Sequence, residues 1–273
     1  MNSETRVSEM ADVTVELLSA REPVQAFLLR DRRYAAYALG TLETEGWASL
    51  AILLARRGGE AAAVYLLAQP PEAATTLFLM GDPAAVEAIF RHPGAGAAFA
   101  WIGANEEHLD CLKRYWRLEE PELMLRMVVD RGSFRAAGPA LWADLRRLGP
   151  ANHSALAEAY DTAFGTPGAA RLIARGPYYG VWNRGRLVSV AGTHIVAPRA
   201  GVAVVGNVWT RPGHRERGLA KLVVSAVTEE LLTDYEDIAL NVREDNLTAR
   251  RVYERLGYQT HCRFWQVRGR WRS

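Results

Sequence analysis

Arg215, Gly218 and Ala220 stand in the order Arg-x-x-Gly-x-Ala between two segments of opposite kind. Before them, Val202–Thr210 is an apolar run of strand length. After them, Arg217–Leu232 reads as a long amphipathic helix with Leu222, Val223, Ala226 and Val227 on one face. A strand that turns into a helix brings unpaired backbone N–H groups and the positive end of the helix dipole to the turn. Gly218 has no side chain to keep a ligand off the backbone, and Ala220 is nearly as small. Arg215 and Arg217 add positive charge. The run Arg215, Glu216, Arg217, Gly218, Leu219 and Ala220 therefore suits a pyrophosphate. The same residues taken alone would pass for a surface turn with solubilising arginines. Their place between a buried strand and a long helix is what favours the anion.

A second constellation follows. Asn246 precedes a helical stretch that carries Ala249-x-x-x-Tyr253-Glu254-x-Leu256-Gly257-Tyr258. Asn246 and Tyr253 are about two turns apart, so they share a side of the helix. Gly257 suits a left-handed C-terminal cap. On its own, Tyr253 reads as an ordinary core tyrosine.

The two segments together resemble the paired signatures of the GNAT superfamily of acyl-CoA N-acyltransferases. The first is Gln or Arg, two residues, Gly, one residue, then Gly or Ala. The second is Asn followed by Ala-x-x-x-Tyr-Glu-x-Leu-Gly and an aromatic residue. Order and separation both agree, and the resemblance covers the second half of the chain. It implies that backbone N–H groups of Arg215–Ala220 hold the pyrophosphate of coenzyme A. It further implies that main chain near Asn207, Val208 and Trp209 pairs with the pantetheine arm, that Asn246 hydrogen-bonds coenzyme A, and that the Tyr253 hydroxyl lies near the thioester sulfur. Acetyl-CoA is then the expected acyl donor, with no metal.

The chemistry such a site must perform is specific. An amine attacks a thioester only when neutral, yet a free amine is mostly protonated at pH 7. A route for the proton, a polarised carbonyl and an acid for the departing thiolate are needed. By family analogy Tyr253 is the acid, and a backbone N–H near Val208 polarises the carbonyl. Many relatives carry a glutamate on the strand that here is Val202–Thr210, but this strand has no carboxylate, only Asn207. His194, on the neighbouring strand, is the nearest group that titrates near neutrality. A structural histidine and a base acting through water are the alternatives.

The expected acceptor is the primary amine of a small molecule or an amino-acid-like compound. The resemblance implies that the helices before the first hairpin, here Ala155–Phe164 and the Gly165–Gly176 stretch, cover it, with Glu158, Asp161, Tyr178 and Tyr179 as lining candidates. Three other readings stay open: a protein N-acetyltransferase, a non-catalytic acyl-CoA-binding sensor, and a transferase that takes aminoacyl-tRNA. The terminal Trp265 to Arg272 segment mixes aromatic and arginine residues, and reads as a solvated tail in preference to a nucleic-acid surface.

The elements that must position these residues follow from hydrophobic patterning. Val15–Leu29 and Arg33–Glu45 have helical composition. Leu50–Ala55 and Ala61–Ala68 read as a hairpin turning at Gly58-Gly59. Thr75–Met80 is a strand, and Asp82 and Pro83 start a helix that runs to Phe90. Gly96–Ile102 is a strand, Glu106–Trp116 a helix and Glu122–Val129 a strand. Beyond the turn-rich stretch Arg131–Pro139 the order repeats. Helices are expected at Asn152–Phe164 and Ala169–Arg175, and strands at Tyr178–Trp182, Arg186–Ile195 and Val202–Thr210. A helix at Arg217–Leu232, a strand at Ile238–Val242, a helix at Leu247–Leu256 and a strand at Thr260–Val267 complete the series.

Sliding the chain so that Tyr115 meets Tyr253 also brings Leu109 to Leu247, Lys113 to Arg251, Arg117 to Arg255 and Leu118 to Leu256. Chance likeness of two amphipathic helices is the plain alternative, but the matching element order speaks against it. The expected class is therefore α/β, or α+β: two GNAT-like mixed-sheet domains with helices on both faces, at 1–135 and 136–273. The first half has no arginine and no Gly-x-Ala at the corresponding turn. Asp82 puts negative charge there, Pro83 removes a donor, and His108 stands where the second half has Asn246. This half is expected to hold no coenzyme A. Tandem GNAT proteins with one degenerate half, including the glycine N-acyltransferase-like branch, are similar in layout.

Bulk composition agrees. The chain of 273 residues is 49% hydrophobic and 23% charged, enough for a core in each half. A net charge of +2 is too mild to argue for nucleic acid. Its arginines far outnumber Lys113 and Lys221, which reads as compositional bias. Cys111 and Cys262 lie far apart, outside any metal or redox pattern, and suit a reduced cytoplasmic protein. Met1–Met10 is polar, and runs such as Ala48–Ala55 fall far short of the roughly 20 residues a membrane span needs. Chain length does not set the oligomeric state, and a homodimer stays open.

Overall fold

The structure is a computed structural model that describes residues 12–71, 73–138, 142–164, 173 and 176–272. The chain divides into two compact units, Met1–Met124 with Arg263–Ser273, and Leu125–Cys262. This division differs from one drawn at the repeat boundary, because each unit takes in strand residues from both sequence halves.

In the first unit the strands are β1 (Val13–Leu17), β2 (Leu50–Arg57), β3 (Glu60–Ala68), β4 (Thr76–Gly81), β5 (Ala100–Ala104), β6 (Trp116–Leu118) and the later part of β13 (Gln259–Trp271). Their order is β1-β2-β3-β4-β5-β13, with β6 on β13. Only β4 and β5 run parallel there. Helices α1 (Glu22–Leu28), α2 (Ala36–Thr44), α3 (Pro83–Phe90) and α4 (Leu109–Tyr115) complete the unit. Leu53 and Ala55 of β2 share a core with α3 and α4, while Ile52 and Leu54, pointing the other way, are equally buried. A sheet covered on both faces needs apolar residues at successive positions, which is why β2 and β3 read as continuous runs.

The first strand corrects the sequence reading. Val13-Thr14-Val15-Glu16-Leu17 alternates with Val13 and Val15 toward the core, and it pairs with β2, where Glu16 meets Arg56 at 2.7 Å. Helical composition over Val15–Leu29 masked this short period-two pattern, and the helix begins only at Glu22, beside Pro23. The expected Gly58-Gly59 turn is present, with φ of 57° and 85°. Helix α4 stops at Tyr115, one residue before its expected end, because Trp116 enters β6 and is fully buried against the core.

In the second unit the order is β7 (Glu122–Asp130), β12 (Asp237–Arg243), β11 (Val202–Thr210), β10 (Arg186–Ala197), β9 (Tyr178–Asn183) and β8 (Asp144–Arg147). β7 enters the unit with Leu125–Asp130. Helices α6 (Leu219–Leu231) and α7 (Leu247–Arg255) pack on one face, in a core with Val205, Leu240 and Val242. Helix α5 (His153–Phe164) packs on the other through Leu156, Ala159 and Tyr160, with Tyr178, Val190 and Trp209. Both units are thus mixed sheets flanked by helices on both faces, the α/β class expected. The helix expected at Ala169–Arg175 lies outside the described residues, apart from Ile173. No described helix is long and apolar enough to cross a membrane. Cys111 and Cys262 form no disulfide among the described residues.

Candidate functional site

The strands β11 and β12 run parallel and pair from Val202/Asp237 to Val205/Leu240. β11 continues to Thr210 and β12 to Arg243 without pairing further. The cause lies on the other edge of β11. Against β10, the pair Gly192/Gly206 is followed by Val190/Trp209, so Asn207 and Val208 have no ladder partner and form a bulge. A bulge bends its strand and increases its twist, and here that turns β11 away from β12. Asn207 has φ of 53°, a left-handed conformation that asparagine tolerates better than most residues.

Two tyrosines meet at this bulge. Tyr160 Oη donates to the Asn207 carbonyl at 2.8 Å, and Asn207 Nδ2 donates to Tyr178 Oη at 2.8 Å. Tyr178 Oη in turn donates to the Thr193 carbonyl at 3.1 Å. The Tyr178 ring lies directly on Gly192, where any Cβ would collide with it. Sequence reasoning picked out Tyr178 only as a lining residue and did not find Tyr160.

His194 stands beside the bulge. It sits at a second register shift, between the pairs Thr193/Val205 and Ile195/Val204, and is half-buried. Its side chain covers Gly206, where a Cβ would come within 2.9 Å of the His194 Cβ and 3.1 Å of Nδ1. The fold thus sets His194 against Gly206, the residue before Asn207.

Past Thr210 the chain reaches the Arg215–Ala220 segment. Glu216 and Gly218 have φ of 63° and 76°, alternating with Arg215 and Arg217, and all four are exposed. Alternating backbone handedness turns successive N–H groups toward one side. Gly218 is the N-terminal cap of α6, and its side carries no capping bond. The N–H groups of Gly218, Leu219, Ala220 and Lys221 find no acceptor among the described residues. Leu219 is buried and anchors the turn to the core. Arg215 Nε donates to the Thr210 carbonyl at 3.2 Å, holding the loop to the end of β11. Trp209 is nearly buried beneath the Arg211 guanidinium, 5.4 Å from its ring.

On the β12 side, Asn246 caps α7, its Oδ1 accepting from the Ala249 N–H at 3.1 Å. This residue therefore has a structural task, whatever else its exposed amide does. Tyr253 is 7% exposed, within the core that holds Leu240 and Val242. Burial pushes its hydroxyl pKa up to about 12, so it stays protonated at neutral pH. Its hydroxyl makes no hydrogen bond among the described residues. Its neighbour Tyr258, whose ring is 6.1 Å away, shares a 2.7 Å hydrogen bond with Thr228. His194 thus stands on β10 beside β11, and Tyr253 lies in a core that takes in residues of both β11 and β12.

Comparison with known proteins places this geometry. Residues 178–266, from β9 into β13, match the family model described as FR47-like protein. A Drosophila protein solved as a structural-genomics target superposes with a TM-score of 0.69 at 13% identity, covering 93% of this chain and 97% of that one. A tandem GNAT protein from the clavulanic acid biosynthesis pathway superposes at 0.57 with 15% identity, over 95% of this chain and 98% of that one. A GNAT-family protein from Novosphingobium aromaticivorans gives 0.56 at 21% identity, over 77% and 89%. No curated protein matches the sequence. The chain carries the GNAT acetyltransferase fold. Residues 178–266 within it are similar to the FR47-like model, and the whole is similar in fold to the tandem GNAT structure.

Proposed function

We propose that this protein transfers an acetyl group from acetyl-CoA to the primary amine of a small-molecule or amino-acid-like acceptor, by direct attack with donor and acceptor bound together. The observation that carries this reading is the fork between β11 and β12, which leads into the free N–H groups of Gly218–Lys221. A dipole end with unpaired donors, exposed backbone and flanking arginines fits a pyrophosphate. On the side toward β12, Asn207–Trp209 pairs with no strand among the described residues, and that edge fits an extended amide-bearing arm, which would add to the strand as another strand does.

Bound acetyl-CoA supplies an activated thioester carbonyl. The chain's own residues do the rest. By family analogy, the Val208 N–H is the donor that would polarise the carbonyl. Tyr253, neutral at physiological pH, holds a proton for the thiolate. His194 is the proton acceptor for the incoming amine, directly or through water, since β11 itself bears no carboxylate.

The first unit is proposed to hold no coenzyme A. Its parallel pair β4–β5 ends at Phe78/Gly103, as the β11–β12 pair ends at Val205/Leu240, but the groups beyond are already engaged. Asp82 Oδ1 accepts from the Ala85 N–H at 2.9 Å and from Arg57 Nη2 at 2.9 Å. The His108 Nε2 donates to the Gly81 carbonyl at 2.9 Å. An anion would have to displace a carboxylate that caps the helix.

The lack of a β11 carboxylate also favours a second reading, a non-catalytic acyl-CoA sensor. Calorimetric titration of acetyl-CoA into wild type and Gly218→Trp tests the shared claim. Binding in wild type that is lost in the variant is expected, and no binding to wild type sinks both readings. Turnover of any amine in a broad panel then separates enzyme from sensor.

A further inference from the structure

We propose that Tyr160 and Tyr178 are positioning residues that clamp the Asn207–Val208 bulge of β11 and so set the direction of the Val208 N–H. This rests on the acyl-donor reading above and adds residues that none of its motifs contains.

The argument starts from the peptide plane. A trans peptide is rigid and its C=O and N–H point to opposite sides. The carbonyl of Asn207 and the N–H of Val208 belong to one such plane. Tyr160 Oη, on α5, holds that carbonyl at 2.8 Å. Fixing the carbonyl therefore aims the Val208 N–H away from α5. A hydrogen bond accepted by the carbonyl also polarises the plane and strengthens the N–H as a donor.

Nothing else in the ladder does this. Asn207 and Val208 have no pair on β10, and the pairing with β12 has already ended at Val205. The left-handed turn at Asn207 needs support of its own, and the Tyr178 hydroxyl supplies it by accepting from Asn207 Nδ2 at 2.8 Å. That hydroxyl is oriented because its own proton goes to the Thr193 carbonyl at 3.1 Å. Gly192 lets the ring reach across the sheet. Tyr160 is 2% exposed and Tyr178 0%, so water does not compete for either bond.

The test uses the full-length protein, acetyl-CoA labelled with carbon-13 at the thioester carbonyl, and the variants Tyr160→Phe, Tyr178→Phe and Asn207→Gly. In wild type, binding should move the labelled carbonyl's infrared band to lower frequency. In Tyr160→Phe and in Tyr178→Phe most of that movement should vanish. Affinity for acetyl-CoA should change by less than about fivefold, the scale of one neutral hydrogen bond, because the Arg215–Ala220 loop is untouched. Asn207→Gly keeps the left-handed backbone and removes the same bond as Tyr178→Phe, so combining these two should add nothing.

Hydrogen exchange of the ligand-free protein gives a readout independent of acetyl-CoA. Residues 206–210 should exchange faster in the variants while α6 keeps its protection. Two results overturn the proposal. One is a carbonyl band that moves as far in both phenylalanine variants as in wild type. The other is exchange that rises across the whole unit, which marks general destabilisation. Failure of wild type to bind acetyl-CoA overturns the donor reading itself and takes the positioning role with it. Binding with an unaltered clamp phenotype rejects the clamp alone.

Discussion

The imidazole of His108 is fully buried and donates from Nε2 to the carbonyl of Gly81, 2.9 Å away. The bond closes the end of β4 in the first unit, at the position where β11 of the second unit carries its bulge. Because a carbonyl only accepts, Nε2 carries a proton; burial favours the neutral ring, and the buried Nδ1 has no partner among the described residues.

The first prediction concerns acid. Burial lowers the His108 pKa, against opposing effects of the Gly81 bond, Glu107 and Asp82. The depressed folded-state pKa means that the unfolded chain takes up a proton first as pH falls. Stability from the neutral ring is therefore complete above the usual histidine pKa, near 6.5, and is lost below it. The slope is at most about 1.4 kcal/mol per pH unit for one group. Denaturant melts between pH 7 and pH 5 should show this loss in wild type and a flatter profile in His108→Gln. Equal slopes would show that His108 is not the group responsible.

Tyr253→Phe should leave binding of acetyl-CoA within about twofold and cut turnover by about a hundredfold, the scale of a lost general acid. The hydroxyl makes no hydrogen bond among the described residues, so the melting temperature should hardly move. With a pKa near 12, Tyr253 should produce no alkaline fall in rate below about pH 10. Steady-state kinetics across pH on wild type and variant decide this, once an acceptor amine is in hand.

His194→Gln should lower turnover while sparing acetyl-CoA affinity, since the residue lies by the bulge on the β10 side and away from the Arg215–Ala220 loop. A parallel fall in affinity would assign His194 to support of β11 and remove it from proton transfer.

Two glycines with positive φ should respond differently to alanine. At Gly218 a Cβ meets nothing within 4 Å, so only the backbone cost applies, about 1–2 kcal/mol. At Gly257, φ is 92° and a Cβ would strike the Ser133 carbonyl, so the cost should reach roughly 3 kcal/mol or more. Gly257 also borders a 310 Å³ cleft lined by Ser133, Arg135, Glu254 and Gln259, and relief into that cleft would need the backbone of 132–135 to move. Equilibrium unfolding of the two variants compares them directly.

Much of this protein is written locally. The strand Val202–Thr210, the small residues at Gly218 and Ala220 and the helix after them are contiguous, so patterning and steric demands alone mark the proposed phosphate loop. The hairpin at Gly58-Gly59 and the Asp82-Pro83 helix start are local for the same reason. The Gly206-Asn207 step inside an apolar strand was a legible sign of a bulge, since glycine and asparagine are the residues a left-handed kink admits. Reading helix from Val15, inside the five-residue strand Val13–Leu17, shows the limit: over so short a stretch, period and composition compete, and pairing with β2 decided the outcome.

What only the tertiary structure decided is the company each residue keeps. Tyr160 comes from a helix, Tyr178 from one strand and Thr193 from the next, and no spacing in the chain marks that their hydroxyls and carbonyls converge on Asn207. Side chains from separate elements meet only through register and packing, which depend on the whole unit. The sequence determined most of the strands, loops and helices, and where an anion is proposed to approach the backbone. The fold determined where the β11–β12 ladder ends and which groups hold the bulge beyond it.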